Sequence, residues 1–282
     1  MNTNQNLIKE ALQLPVFSFI QKAADVLVLD TYVIGGFVRD TFLNRPRGTD
    51  IDVVTVGSGI ELAKKVAELL PGKNQIQIFK TYGTAMIKFG DIQLEFVGAR
   101  KESYSADSRN PVVENGTLEE DQNRRDFTIN ALALSLNKNT FGNLLDPFNG
   151  VEDLSNGILR TPLDPDITYS DDPLRMLRAI RFATQLGFTI EKKSFSSIIQ
   201  NSKRVDILSK ERIVEELHKI MAHSKPSIGL LLLDDADLLH RILPEITALK
   251  GIEEVEGQSH KDNFFHTFEV VDNICAYSEN LW

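Results

Sequence analysis

The sequence predicts an α/β N-terminal half followed by a mostly helical C-terminal half. Three observations predict it. A short apolar run, Tyr32-Val33-Ile34, leads into Gly35-Gly36, and a second, Ile51 to Val56, begins next to Asp50 and carries Asp52. Three more runs, Gln75–Phe79, Thr84–Phe89 and Ile92–Val97, have strand-like composition, the last two joined at Gly90-Asp91 as a hairpin. Beyond Asp146 the apolar residues recur at helical spacing instead.

Taken in order, a leading helix marked by Leu7, Ile8, Ala11 and Leu12 precedes the first strand. Phe37 to Leu43 reads as a short helix, and Ile60 to Leu70 as an amphipathic one that stops at Pro71-Gly72. Arg100 to Glu120 is polar with few apolar residues and is expected to be a mobile loop. The pattern then turns helical from Asp121 to Leu134, and again over Asp171–Leu186, Ser194–Ser202, Lys210–Met221 and Pro226–Ala236. No internal repeat or low-complexity segment interrupts this plan.

Composition narrows the class. The chain has 282 residues, enough for roughly two domains, and its 42% hydrophobic and 25% charged content is ordinary for a soluble globular protein. The polar start, Met1 to Asn6, lacks the pattern of a signal peptide, and no apolar stretch approaches a membrane span. A single cysteine, Cys275, rules out an intramolecular disulfide, so a cytoplasmic location is expected. The net charge of −9 argues mildly against a nucleic-acid partner. A local basic patch on an acidic chain remains compatible with one.

The chemistry concentrates around the glycine pair. A strand ending in glycines at a helix start presents backbone N–H groups to an anion with no Cβ in the way. Asp50 and Asp52, two apart on a strand, project to the same face. Paired carboxylates beside a phosphate cradle suit Mg²⁺, which takes one or two carboxylates plus substrate phosphates. The pattern therefore reads as phosphoryl or nucleotidyl transfer. Taken singly, a Gly-Gly is usually a turn and an Asp-x-Asp a solvated edge; their order and flanks favour the chemical reading.

Five ordered motifs then support a family. They are Gly35-Gly36-Phe37-Val38-Arg39-Asp40, Asp50-Ile51-Asp52, Arg124-Arg125-Asp126-Phe127-Thr128-Ile129-Asn130-Ala131, Asp146-Pro147-Phe148-Asn149-Gly150, and the run from Asp171 to Phe182. Over about residues 25 to 275 the chain resembles the bacterial class II CCA-adding tRNA nucleotidyltransferases and poly(A) polymerases. The resemblance implies a polymerase-β-like α/β (α+β) catalytic head over 1–145. It implies a helical neck that selects the nucleotide base over 146–222, and a helical body with the beginning of an HD-type domain over 223–282. It also implies Mg²⁺-dependent two-metal addition of C or A, from CTP and ATP, to the 3′ end of tRNA.

Residue by residue, Gly35, Gly36 and Arg39 match the triphosphate-binding segment, and Asp50 and Asp52 the metal-binding carboxylates. Glu95 is expected as a third catalytic carboxylate on a neighbouring strand, its alternative being a polar residue on the open sheet face. Arg125, Asp126 and Asn130 are expected on one helix facing the incoming ribose; the alternative is a helix surface laced with ion pairs. Asp172 and Arg175, with Arg178 one turn on, would read the base. A carboxylate only accepts and a guanidinium only donates. Cytosine and adenine present an amino donor beside a ring-nitrogen acceptor, whereas guanine and uracil present a carbonyl beside an N–H. One Asp/Arg pair therefore suits C and A, while a helix N-cap with an i,i+3 ion pair is the coexisting structural role. Asp171 stands where the family usually has Glu.

Two later features are weaker. Glu211 to Leu217 resembles the final neck segment and reads mainly as an amphipathic helix with a charged outer face. His260 to Asn273 resembles the opening of an HD-type domain, but the chain reaches Trp282 before a His-Asp pair that would complete its metal site, so a shortened tail is expected. Poly(A) polymerisation, CC-only or A-only addition, a non-catalytic RNA-binding role and an HD phosphohydrolase remain as alternatives.

Overall fold

The computed structural model describes residues 3–46, 48–72, 74–105, 108–251, 254–255, 258–259 and 262–277. The chain divides into two compact units, one of Met1–Ser103 with Pro111–Asn156, the other of Tyr104–Asn110 with Gly157–Trp282.

The first unit is built on a mixed sheet. Helices α1 (Thr3–Ala11) and α2 (Pro15–Leu27) precede β1 (Thr31–Ile34), α3 (Gly36–Phe42), β2 (Asp50–Thr55) and α4 (Gly59–Leu69). Strands β3 (Ile76–Phe79), β4 (Thr84–Phe89) and β5 (Ile92–Gly98) follow. Then come β6 (Arg100–Ser105) and β7 (Ser108–Asn115), of which Tyr104–Asn110 counts with the second unit, and α5 (Leu118–Asn123), a 3₁₀ turn at Thr128–Asn130, β8 (Ala133–Ser135), β9 (Leu144–Leu145) and α6 (Gly150–Asn156). The seven-stranded sheet runs β3-β4-β5-β2-β1-β8-β9. β2 and β5 pair in parallel, and every other described pairing in this sheet is antiparallel.

The alternation along β2 is written in its residues. Ile51 and Val53 are buried on one face, where α4 packs over β4 and β5. α4 itself starts where Ser58 Oγ accepts from Glu61 N–H at 3.2 Å, and it buries Leu62, Ala63 and Val66. The opposite face carries Asp50 and Asp52, then Val54. Further along, it joins a buried cluster of Ile34, Val54, Val97, Ala99, Leu118 and Ala133. The sheet face with the carboxylates is thus anchored by an apolar core a few residues away.

Three expectations are corrected and one helix is added. Arg100 to Glu120 is not a loop: β6 and β7 form a two-stranded sheet of their own, and α5 begins inside the segment. Its start is a capping box, Thr117 Oγ accepting from Glu120 N–H while Thr117 N–H donates to Glu120 Oε2. The helix expected over Asp121–Leu134 breaks into α5, the 3₁₀ turn and β8, because Phe127 takes an extended backbone at φ −136° and ψ 150°. The expected leading helix is α1, and α2, which follows it, was not anticipated. The helix expected over Asp171–Leu186 begins only at Leu174, and Asp171 is the last residue of a separate helix, Pro165–Asp171.

The second unit is helical: α7 (Pro165–Asp171), α8 (Leu174–Leu186), α9 (Lys192–Asn201), α10 (Lys210–Met221), α11 (Ser227–Asp235), α12 (Leu239–Ile242), α13 (Pro244–Thr247) and α14 (Asn263–Tyr277). Pro173 separates α7 from α8. It has no N–H to continue a helix, and it holds Asp172 extended at φ −132° and ψ 98°. α8 packs on α10 through a buried ion pair, Arg181 with Glu216, so Glu216 faces inward where the sequence suggested a charged outer face.

Candidate active site

The glycine turn sets the geometry of the first unit. Gly35 caps α3 at φ +80° and ψ −136°, a backbone that disfavours any side chain. Its N–H donates to Leu132 O at 3.3 Å. A Cβ placed there would stand 3.2 Å from Asp52 Oδ2 and 3.2 Å from Arg125 Nη1. One acidic and one basic group therefore flank the same glycine. Gly36 is less crowded, with Arg39 Nη2 3.7 Å from its would-be Cβ.

Glu95 comes to Asp52 through strand register. β2 and β5 pair Asp52 with Glu95 and Asp50 with Gln93, and partners in a ladder share a face. Partial desolvation at the sheet surface, then repulsion from Asp52, raises the Glu95 carboxyl above its ordinary value; Arg100 opposes the rise and Asp50 adds to it. Among the described residues, no three His, Cys, Asp or Glu side chains stand close enough together to hold an ion. The fit to Mg²⁺ rests instead on donor chemistry: Asp50 and Asp52 offer only carboxylate oxygen, on the face that carries Glu95. A hard cation binding through one or two carboxylates and substrate phosphates needs no more from the protein.

A basic layer lies beside this acidic edge. Arg39 grips its neighbour Asp40 through Nε and Nη2, at 2.8 and 3.0 Å, and donates from Nη1 to Asn130 Oδ1 at 3.0 Å. Asn130 Nδ2 donates in turn to Asp126 Oδ1 at 3.0 Å, which also accepts from Phe127 N–H at 2.9 Å. Asp126 and Asn130 are both buried. They meet across a turn and not along the helix expected for them. Arg125 Nη1 donates to Asn130 O at 3.3 Å. Gly35, Arg39, Asp52, Arg125, Asp126 and Asn130 thus form one connected neighbourhood.

Two members were not singled out from the sequence. Asp121 is 0% exposed and accepts from Arg124 through Oδ1 and from Arg125 through Oδ2. Burial pushes its carboxyl up, and Arg125 and Arg124 together outweigh that, holding it below the ordinary carboxylate value. Its signal was present, an Asp three and four residues before two arginines. Asp40, which fixes the Arg39 fork, was quoted only as part of its motif.

In the second unit Asp172 and Arg175 sit astride Pro173. Asp172 Oδ1 accepts from Leu174 N–H at 3.2 Å and its carbonyl accepts from Arg175 N–H at 3.0 Å. Asp172 is the C-cap of α7 and accepts from the first N–H of α8, whose own N-cap is Pro173. Arg175 is buried, and the Arg178 guanidinium lies 5.4 Å from the Phe182 ring centroid. His266, on α14, has Nδ1 3.7 Å from Glu269 Oε2; His260 lies outside the described residues.

Residues 31–160 match the poly A polymerase head domain, and residues 187–250 the probable RNA and SrmB-binding site of polymerase A. The A-adding tRNA nucleotidyltransferase of Aquifex aeolicus (strain VF5) is 39% identical over 67% of this chain and 23% of its own length. The CCA-adding enzyme of Geobacillus sp. (strain WCH70) is 38% identical over 74% of this chain and 50% of its own. The chain thus spans half or less of these curated relatives. A crystal structure of tRNA nucleotidyltransferase complexed with a primer tRNA and an incoming ATP analog superposes with a TM-score of 0.69 and 30% identity, over 82% of this chain and 67% of that one. The mixed sheet and following helices are a polymerase-β-like nucleotidyltransferase head with a helical region, and the chain belongs to the family of the CCA-adding tRNA nucleotidyltransferases and poly(A) polymerases.

Proposed function

We propose that this chain carries the catalytic part of a template-independent nucleotidyltransferase that adds C and A, from CTP and ATP, to the 3′ end of tRNA. The observation that carries the reading is the glycine turn, where Asp52 and Arg125 both close on the space that a Gly35 side chain would fill. A polyphosphate needs cationic and N–H donors, and the reacting centre needs carboxylates for a divalent ion; both requirements meet at Gly35. Bound at Asp50 and Asp52, Mg²⁺ would supply Lewis-acid activation of the RNA 3′-hydroxyl and charge neutralisation at the departing pyrophosphate. Gly35 and Gly36 give close backbone approach to the phosphates. Arg39 and Arg125 hold them, and Asp126, fixed by Asn130, accepts from the ribose. Glu95 sets the charge beside Asp52.

The base is read in the second unit, on this proposal, by Asp172 and Arg175, with Arg178 adjacent. The division into head (1–145), neck (146–222) and body (223–282) follows the same assignment. The setting is cytoplasmic. Among the described residues no helix is long and apolar enough to cross a membrane. A second reading, addition of A alone, is favoured by the A-adding activity named for the A. aeolicus relative. One assay separates these readings: incubation with tRNA ending before C74, at C75 or at A76, with labelled CTP or ATP. CCA addition extends the first with both nucleotides, A addition extends only the tRNA ending at C75, and a poly(A) polymerase extends tRNA already ending in A76. No incorporation with any substrate rejects the catalytic reading.

A further inference from the structure

We propose that Asp121 is a positioning residue for the incoming nucleotide, acting through Arg125. The inference rests on the nucleotidyltransferase reading of the first unit. Asp121 is fully buried, yet it is not spent on packing. Its Oδ1 accepts from Arg124 Nε at 3.0 Å and Nη2 at 2.7 Å. Its Oδ2 accepts from Arg125 Nε and Nη2, both at 3.3 Å. With those two donors held, Arg125 is left with its Nη1 side turned to the Asn130 carbonyl at 3.3 Å and to the space over Gly35.

The arrangement solves a placement problem. A guanidinium on a flexible stem beside Asp52 would otherwise swing onto that carboxylate and occupy the acidic edge. The buried Asp121 supplies a competing carboxylate from behind. It fixes the plane of the fork and leaves one edge of it facing the glycine turn. A single carboxylate shared by two guanidiniums also leaves the Asp121, Arg124 and Arg125 trio with one positive charge in excess. The capping box at Thr117 and Glu120 starts the helix that carries Asp121, so the anchor stands on a defined turn.

Asp121→Asn keeps the size and one acceptor oxygen but removes the charge. The test measures kcat and KM for CTP and ATP, nucleotide Kd by calorimetry, and thermal melting, for wild type, Asp121→Asn, Arg125→Ala and the double variant. Expected are a rise of roughly ten- to a hundredfold in KM and Kd for Asp121→Asn, the range of a lost charge-assisted hydrogen bond, with kcat at saturation within about threefold. The double variant should be no worse than Arg125→Ala alone, since both changes remove the same link. An unchanged KM, or effects of the two changes that multiply, overturns the proposal and leaves Asp121 a stabilising group only. If Asp121→Asn does not fold, Arg125→Lys tests the same link, because an ammonium cannot hold Asp121 and Asn130 with one planar fork; an unchanged KM there overturns it equally. A wild type that binds nucleotide but transfers none rejects the catalytic reading while the Kd comparison still decides Asp121. A wild type that binds neither nucleotide overturns both.

Discussion

Gly35→Ala is the sharpest single test of the site. The added Cβ costs twice. Backbone at φ +80° and ψ −136° is nearly exclusive to glycine, and holding alanine there costs on the order of 1–3 kcal/mol. The new methyl would also stand 3.2 Å from both Asp52 Oδ2 and Arg125 Nη1, so one of the two charged groups must retreat by a few tenths of an ångström. For a cooperative unit of this size, each kcal/mol lowers Tm by roughly 2–4 °C, giving an expected drop of about 2–12 °C. Turnover should fall as well, because the group that retreats is a reacting or phosphate-holding one, and a misplacement of about 1 Å there can cost a hundredfold.

The assay has a built-in control one residue away. A Cβ on Gly36 meets only Arg39 Nη2, at 3.7 Å, and alanine suits a helical position better than glycine by roughly 0.5–1 kcal/mol. Gly36→Ala should therefore melt at or above the wild-type temperature, while Gly35→Ala melts below it. Nucleotide incorporation is then compared for Gly35→Ala and wild type at least about 10 °C under both transitions, where loss of folded protein cannot explain a loss of rate. A Gly35→Ala variant with wild-type melting and wild-type incorporation would refute the geometry at this turn, and with it the argument that glycine is required for Asp52 and Arg125 to approach.

Three other perturbations probe separate parts of the reasoning. Asp52→Ala should abolish Mg²⁺-dependent incorporation without lowering Tm, since it removes a carboxylate that repels Glu95; near-wild-type incorporation would reject the metal assignment. Arg175→Ala should reduce discrimination among CTP, ATP, UTP and GTP by roughly 1.5–3 kcal/mol, and Arg175→Lys should not restore it; an unchanged CTP-over-UTP preference in single-nucleotide incorporation would move base reading elsewhere. Glu95→Gln should raise Tm in EDTA at neutral pH and lose that advantage in acid. The Glu95 carboxyl is raised in the folded chain, so its unfavourable charge is absent below the ordinary carboxylate range and sets in as pH rises through the raised value. A Tm difference that is flat with pH would reject the repulsion.

Much of this fold was legible because its residues obey one period at a time. β1, β2, β4 and β5 are short apolar runs bounded by Gly or Asp, and α4 and α10 are amphipathic at helical spacing. α2 obeyed the same rule and was passed over: Val16, Phe17, Ile20, Ala23 and Ala24 are its buried face, with Pro15 at its first turn. The segment from Asp121 to Leu134 was not legible, since a six-residue helix, a three-residue turn and a three-residue strand are each too short to write a period. The break at Pro173 was written plainly in the sequence, but the apolar pattern running across it masked the boundary.

The candidate site divides along the same line. Motif residues such as Gly35, Asp50 and Asp52 are visible because their spacing within one strand or turn is the chemistry itself. What joins them is not local. The Asp52–Glu95 pairing depends on a parallel register set after α4, β3 and β4 have intervened. The anchoring of Arg125 depends on a carboxylate that looks, in sequence, like any acidic residue in a first helical turn. Burial turns that ordinary acid into an orienting group: with water excluded, the charge of Asp121 can be satisfied only by the arginines that reach it, so the arginines must stay where it is. A site of this kind is specified in two layers. The short motifs choose the reacting groups, and the buried partners, scattered through the chain, decide where those groups point.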